Sequence, residues 1–303
     1  MPELPEVETI ARGLAKRVTG DVIESIWLGE KPEPLKSSPR EIAAALENTR
    51  ILGVRRMGKH IVFDLERNPR GGRKERAPLP TKGLQTKSPR RGSRLQQEET
   101  LPSTHSQFIV HLGMTGRLQV CDPQSEILKH THAIAKLASG RELRFVDPRR
   151  FGRLSVAAAG DFTAAGIEPL EADLDRFTGL FRGRKTPIKS ALLNQTLLRG
   201  VGNIYADESL FRAGIRPRRR ASAITREQLA KLFSSVQEVL REAIALGGSS
   251  ISDYVDADGE EGFFQLRHRV YGREGKPCLV CKTAVKRIVI AGRSSHYCPK
   301  CQS

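Results

Sequence analysis

Four of the five cysteines in this 303-residue chain stand close to its C-terminal end, as Cys278-x-x-Cys281 and Cys298-x-x-Cys301. Two thiolates three positions apart can present to one tetrahedral ion. The sixteen residues between the pairs are enough for a hairpin that brings the second pair round. In a reducing compartment such a cluster reads as a metal site before it reads as disulfides. The spacing predicts one Zn²⁺ held by Cys278, Cys281, Cys298 and Cys301. With all four positions taken by protein, the ion is expected to be structural and to do no chemistry. The hairpin strands should run from Ala284 to Ile290 and from Ser295 to Tyr297, turning near Ala291-Gly292-Arg293, with Lys286, Arg287 and Arg293 as a basic tip. Cys121 stands apart, a free thiol without an assignable role.

What such a finger would bind is narrowed by charge. The chain carries 51 Lys and Arg against 34 Asp and Glu, a net +17. That excess points to a polyanion, nucleic acid first and an anionic membrane surface second. No apolar run is long enough to span a bilayer, and the N-terminus lacks the basic-then-apolar pattern of a secretory signal. The expectation is a soluble, intracellular protein. Its length suits two or three units, and 38% hydrophobic residues suffice for real cores.

The pattern divides the chain. Val7, Ile10, Leu14 and Val18 recur at helical spacing, so one amphipathic helix should run from about Glu6 to Val18 and end near Gly20. Strands are expected at 22–27, 51–54, 60–65, 108–110, 116–120 and 143–146, with a short helix from Ser38 or Pro39 to Leu46. The N-terminal half therefore reads as two packed β-sheets with the first helix alongside. Between Arg67 and Arg94 ten Lys and Arg face the single acid Glu75 amid repeated Pro, Gly and Ser. Such a segment cannot bury enough apolar surface to order itself, and 67–105 reads as a basic disordered insertion between strands. It serves either as a DNA tether or as a tolerated surface addition. From about Thr163 the pattern turns helical. Thr225 and Gln228 form a capping box ahead of an apolar stripe from Leu229 to Ile244, and Gly247-Gly248 ends that helix.

Other stretches carry possible chemistry. If the initiator Met is removed, Pro2 becomes the terminus and its nitrogen a secondary amine. An α-amino group titrates near pH 8, so a sizeable neutral fraction exists at pH 7 and could attack an electrophilic sugar carbon. Glu3 and Glu6 lie beside it and could move protons. Read alone, Pro2 and Pro5 also suit the first turn of a helix, where carboxylates are favoured. Gly200-Val201-Gly202 precedes a helical run from Ile204 to Phe211, a setting in which a phosphate can approach backbone N–H groups. Lys185, Lys189, Arg199 and Arg216 to Arg220 supply positive surroundings. His111-Leu112-Gly113-Met114-Thr115-Gly116 and Asp147-Pro148-Arg149-Arg150-Phe151-Gly152 place large side chains beside glycine. An exposed Met, Arg and Phe are what a protein needs to fill the gap left when a base leaves the duplex. His130 and His132, two apart in an alternating strand, would share a side and could meet a phosphate.

These pieces together resemble the formamidopyrimidine-DNA glycosylase family of bacterial enzymes that remove oxidised purines. The resemblance rests on Met1-Pro2-Glu3-Leu4-Pro5-Glu6-Val7-Glu8-Thr9, the two glycine-containing loops above, and Gly200-Val201-Gly202-Asn203-Ile204-Tyr205-Ala206 with Glu208-Ser209-Leu210-Phe211. Val270-Tyr271-Gly272-Arg273 and the four cysteines complete it, in family order over nearly the whole chain. It implies an α+β chain: a β-sandwich catalytic domain over 2–160, a helix–two-turn–helix domain over 161–268 and a zinc finger over 269–303, with damaged duplex DNA in the cleft. It implies Pro2 as the nucleophile on C1′, Glu3 as the main acid and base, Glu6 in support and Lys59, in Arg56-Met57-Gly58-Lys59-His60, as a catalytic lysine. Asn203 and Arg293 would grip phosphates around the everted nucleotide, Arg293 also serving the second elimination. His130, Arg149 and Lys185 would contact DNA, and Met114, Arg149 and Phe151 would occupy the vacated space. The loop containing Asp253 to Phe264 would cover the everted base. The implied activity is base excision through a Pro2 iminium followed by β,δ-elimination at the abasic site.

The basic insertion departs from the family pattern but removes none of these motifs. Three other readings stay open. The related endonuclease VIII branch, acting on oxidised pyrimidines, shares the architecture without the full Pro2-to-Glu8 string. A non-enzymatic zinc-finger DNA-binding protein would explain the charge and cysteines, and a retained Met1 would favour it. A ribosomal or RNA-binding zinc ribbon would explain the same features but leaves Pro2-Glu3 without a purpose.

Overall fold

A computed structural model describes residues 1–67, 105–250, 257 and 259–303. Most of the basic insertion, and 251–256 and 258 of the expected base-covering loop, lie outside the described residues.

The first helix, α1 (Leu4–Val18), starts two residues before the apolar period suggests. The reason is local: Pro5 is compatible with a first turn, and the Glu3 N–H, which no helical carbonyl can accept, donates to Glu6 Oε2 at 2.8 Å. Leu4 packs into the core of the C-terminal half, while Val7, Ile10, Leu14 and Val18 join that of the N-terminal half, so one helix spans both.

After it come β1 (Val22–Leu28), α2 (Pro39–Leu46), β2 (Thr49–Met57), β3 (His60–Arg67), β4 (His105–His111), β5 (Arg117–Cys121), β6 (Thr131–Leu137), β7 (Glu142–Val146) and β8 (Arg153–Ala158). The expected pair of sheets takes the form of one antiparallel sheet in the order β5-β7-β6-β1-β2-β3-β4-β8. Its two halves meet only through Val22↔Arg50 and Ile23↔Thr49, so the ribbon folds at that narrow joint. Phe63, Phe108 and Val110 from one half then share a core with Leu118, Leu137 and Phe145 from the other. β3 and β4 are neighbours, Glu66 opposite His105, so the insertion joins the ends of adjacent strands. Strands β6 and β8 were not expected as such.

The two histidines do not share a side. His130 precedes β6 in a left-handed conformation (φ 70°) and is exposed. The β6–β7 register shifts between Thr131 and Ala133, and His132 is buried with Nε2 3.0 Å from the Asp147 carbonyl. The bulge breaks the alternation on which the pairing relied.

The C-terminal half comprises α3 (Leu174–Gly179), α4 (Ile188–Leu193), α5 (Asn203–Ala213) and α6 (Arg226–Ala245) around Phe177, Leu192, Leu198, Tyr205, Leu210, Leu232 and Leu240. The α6 capping box forms, with Gln228 N–H donating to Thr225 Oγ1 and Thr225 N–H to Gln228 Oε1, both at 3.2 Å. A buried ion network joins the halves. Arg56 of β2 meets Glu8 of α1 at 2.7 Å and both carboxylate oxygens of Glu168 at 2.8 and 3.0 Å, and Arg199 reaches Glu168 at 3.3 Å.

The tail forms the hairpin β9 (Lys286–Ile290) and β10 (Arg293–Tyr297), turning at Ala291-Gly292 with both residues left-handed (φ 47° and 73°), as a tight two-residue turn requires. Lys286 and Arg287 pair with Tyr297 and His296 at the far end. Of the three cations expected at the tip, only Arg293 stands beside the turn.

Candidate active site

A cavity of about 590 Å³ opens where the two halves and the hairpin meet. Pro2, Glu3, Glu6, Lys59, Met114, Arg149, Asn203 and Arg293 all line it, together with Ser249 and Tyr271. Residues separated by almost the whole chain thus converge, whereas Phe151, His130 and Lys185 do not line the cavity and are exposed.

Glu3 is the most constrained of these side chains. Its carboxylate accepts from the N–H groups of Ile204 (3.1 Å) and Tyr205 (3.4 Å), the free donors of the first turn of α5. This changes the meaning of Gly200-Val201-Gly202. A Cβ on residue 202 would stand 2.2 Å from the Glu3 carboxyl carbon, and one on residue 200 would stand 2.8 Å from Leu4 Cδ1. The glycines admit the protein's own carboxylate and its neighbour, not a phosphate. The anion expected at this helix terminus is internal.

Burial raises the Glu3 pKa to about 7, against the opposing pull of Lys59 and with a further push from Glu6. The two donated N–H bonds partly offset the rise. Glu6, equally buried, is raised for the same first reason, although it accepts from the Tyr205 hydroxyl and from Ser249 N–H at 2.7 Å. Lys59 lies just after Gly58 (φ 60°) in the β2–β3 turn, where Met57 pairs with His60. Burial lowers its pKa and Arg293 adds to the effect, while Glu3 and Glu6 oppose it. The terminal amine, here on Met1, is likewise depressed by burial, against the opposing fields of Glu3 and Glu6. Carboxyls that hold protons more tightly than usual beside amines that hold them less tightly are the combination found where protons are moved.

The rim comes from two loops tied by one carboxylate. Asp147, fully buried, accepts from Thr115 Oγ1 (2.6 Å), Gly152 N–H (2.7 Å) and Arg149 N–H (3.3 Å). Met114 and Phe151 are 43% and 52% exposed, and Arg149 lies over the Phe151 ring at 4.9 Å. On the opposite wall Asn203 opens α5 and hydrogen-bonds the Tyr271 hydroxyl, and its Oδ1 is buried with no partner among the described residues.

Several cations expected to face phosphate are engaged by the protein's own groups. Lys189 is fully buried 2.6 Å from Asp207, and Arg199 serves Glu168 and the Ala164 carbonyl. Arg216 donates to the carbonyls of Gln302 and Pro299, and Arg219 to that of Ala223. Lys185 remains exposed. Sequence reasoning missed Asp147, Ser249 and Tyr271 as parts of the site. Asp147 and Tyr271 stand inside motifs quoted above, and that was their only signal.

The four cysteine Sγ atoms lie within 4.8 Å of one another, with Cys278–Cys301 at 3.9 Å and Cys281–Cys298 at 3.4 Å. Sulfurs about 2.3 Å from a tetrahedral Zn²⁺ stand roughly 3.8 Å apart, so the set fits a structural metal without rearrangement.

Comparison with known proteins agrees with this arrangement. Residues 1–154 match the formamidopyrimidine-DNA glycosylase N-terminal domain, 165–255 its H2TH domain, and 275–303 the zinc finger found in FPG and IleRS. The chain is 43% identical to the formamidopyrimidine-DNA glycosylase of Solibacter usitatus over 304 aligned positions, covering 100% of this chain and 99% of that protein. It is 41% identical to that of Thermus thermophilus, covering 100% and 98%. The crystal structure of the MutM (Fpg) protein from Thermus thermophilus superposes with a TM-score of 0.78 at 39% identity, covering 99% of this chain and 98% of that one. Lactococcus lactis Fpg bound to N7-benzyl-Fapy-dG-containing DNA gives 0.81 at 30% identity with full coverage of both chains. With three domain profiles in order, full-length relatives and the same fold, the chain belongs to the formamidopyrimidine-DNA glycosylase family of bifunctional DNA glycosylase and abasic-site lyase repair enzymes.

Proposed function

We propose that this enzyme everts and removes oxidised purines, 8-oxoguanine and formamidopyrimidines, from duplex DNA, with the amine of Pro2 as nucleophile once Met1 is gone. The observation that carries this reading is the burial of Pro2 in a cavity beside Glu3 and Lys59. Fapy-dG and a carbocyclic 8-oxo-G are among the lesions in the DNA bound to related structures.

In this reading the neutral Pro2 nitrogen attacks C1′, the bond from C1′ to the base breaks, and the base leaves with a proton. The nitrogen lone pair then opens the sugar ring, O4′ takes a proton, and an iminium joins protein to DNA. Glu3, with its pKa near 7, can hold a proton for the departing groups and can also release one. The iminium acidifies C2′. Loss of that proton expels the 3′ phosphate, a second elimination expels the 5′ phosphate, and water releases the sugar fragment from Pro2. Lys59, whose pKa burial lowers, can exchange protons in the first elimination, and Arg293 serves the second. Arg149, Asn203, His130 and Lys185 meet phosphates, Glu6 positions the terminus, and Met114, Arg149 and Phe151 fill the space the base leaves. Eversion costs a few kcal/mol, which those contacts offset. Zn²⁺ held by Cys278, Cys281, Cys298 and Cys301 would fix the hairpin that carries Arg293. The enzyme acts as a monomer in the bacterial cytoplasm, on the nucleoid.

Borohydride trapping tests the chemistry. Duplex DNA carrying one 8-oxoguanine should yield a covalent adduct with the native chain and none with a form that retains Met1, whose residue 2 nitrogen is an amide. The Pro2→Gly variant keeps a primary amine and should trap weakly. An adduct that persists when Met1 is retained and maps to Lys59 would move the nucleophile there, and product without any adduct would overturn the amine mechanism. Because a Lactococcus lactis relative has also been seen with oxidised-pyrimidine DNA, the same assay should carry such a lesion beside the purine. Faster excision of the pyrimidine would favour the endonuclease VIII-like reading.

A further inference from the structure

Arg293 is exposed on a two-stranded hairpin, yet its proposed role needs it at a fixed height over the cavity. A hairpin of five-residue strands is not rigid on its own. The residues behind it are buried and charged. Asp207, on α5 one turn after Asn203, is completely buried. Its Oδ2 accepts the His296 backbone N–H at 2.8 Å and lies 3.2 Å from His296 Nδ1. Its Oδ1 is 2.6 Å from Lys189 Nζ, and that ammonium donates to the Ser294 carbonyl at 2.6 Å. The β10 backbone is thus gripped at residues 294 and 296, on either side of the buried Ser295. Residue 293 is the next one out.

A second path closes the circuit. The His296 ring meets the Tyr271 ring edge-on, with centroids 5.1 Å apart, and Tyr271 is hydrogen-bonded by Asn203. The adjacent Glu208 accepts from the N–H groups of Arg269, Val270 and Tyr271 at 2.8 to 2.9 Å. Two consecutive carboxylates of α5 therefore hold the two chain segments that bring Tyr271 and Arg293 to the site.

We propose that Asp207 is a positioning residue for Arg293: through Lys189 and His296 it locks β10 to the helix that presents Asn203, so that both groups meet one phosphate together. The inference rests on the assignment of Arg293 to the second elimination. A fully buried ion pair is weak evidence of stability, since an apolar pair of similar size often folds as well, and its use is to select one geometry.

The test uses the zinc-loaded full chain on duplex DNA with a preformed abasic site, at saturating enzyme, reading the ratio of δ- to β-elimination product. That ratio is a partition within one complex, so a lower folded fraction leaves it unchanged. Asp207→Asn keeps the shape but leaves Lys189 unpaired, and the Lys189→Met/Asp207→Leu double variant removes both charges. Both should lower the ratio by about tenfold or more, since a small misplacement of a reacting group costs that much, with one zinc per chain retained. Wild-type ratios in both variants would overturn the proposal, as would failure of both to yield zinc-loaded protein, which would make the pair a folding requirement only. If the unaltered enzyme gives no δ-product, or if Arg293→Ala leaves its ratio unchanged, the fault lies with the role of Arg293 and not with Asp207.

Discussion

Glu3 shows what a single buried side chain contributes here. Its folded pKa of about 7 lies above the ordinary 4.5, so the folded chain holds the proton more tightly than the unfolded one. The stability this represents is fully present below pH 4.5 and is lost as pH rises through 7. A Glu3→Gln variant should match the native enzyme near pH 4 in urea denaturation and then gain on it, by at most about 3 kcal/mol above pH 7. The same variant should lose base excision. A variant less stable than the native enzyme at pH 8 would show that the charged form is compensated in a way the Ile204 and Tyr205 N–H groups do not supply. Active sites commonly hold such groups at the expense of stability.

At the scale of elements, the loops 111–116 and 147–152 act as a unit because Asp147 ties them. Gly113 belongs to the same joint: at φ 65° it sits where a Cβ would stand 2.5 Å from Gly152 N. Replacing Asp147 by Ala would leave buried donors without an acceptor, at a cost on the order of 2–4 kcal/mol. The functional effect should be selective. Excision of 8-oxoguanine, for which the proposed mechanism has Met114, Arg149 and Phe151 enter the duplex, should fall at least tenfold more than cleavage of a preformed abasic site. Equal losses on both substrates, measured at a temperature where the variant is folded, would remove the loops from the eversion step.

Across the whole molecule, the cavity exists only when all three regions are in place. Chelating the metal should release about one zinc per chain and melt the hairpin, since a site of this kind contributes folding energy outright. The δ-product should vanish, while the far-ultraviolet signal of the sheet and of α5 and α6 stays near its starting value. A chelated chain that kept its δ-elimination would detach Arg293 from that step. Among the described residues, no helix is long and apolar enough to cross a membrane, and the net charge of +17 is better read as an attraction to DNA. That charge overstates what faces the partner. Arg56, Arg144, Lys189 and Arg199 are engaged inside the protein.

Period, caps and spacing are local properties, and what depends on them was legible in the sequence: α1, α2 and α6, most of the strands, and the four-cysteine cluster. Pro2, Glu3 and Glu6 could be singled out because an N-terminal amine beside two carboxylates is unusual chemistry. The sequence does not show which anion fills the terminus of α5. Nothing in Gly200-Val201-Gly202 distinguishes a phosphate from Glu3, because that choice depends on two chain segments some two hundred residues apart meeting in space. The histidine pair was misread because a bulge is set by strand pairing, not by alternation. Basic residues at the surface and in buried ion pairs look alike as letters. Only packing, by removing Lys189 and Arg56 from water and leaving Arg293 and Arg149 in it, decided which of them can meet DNA.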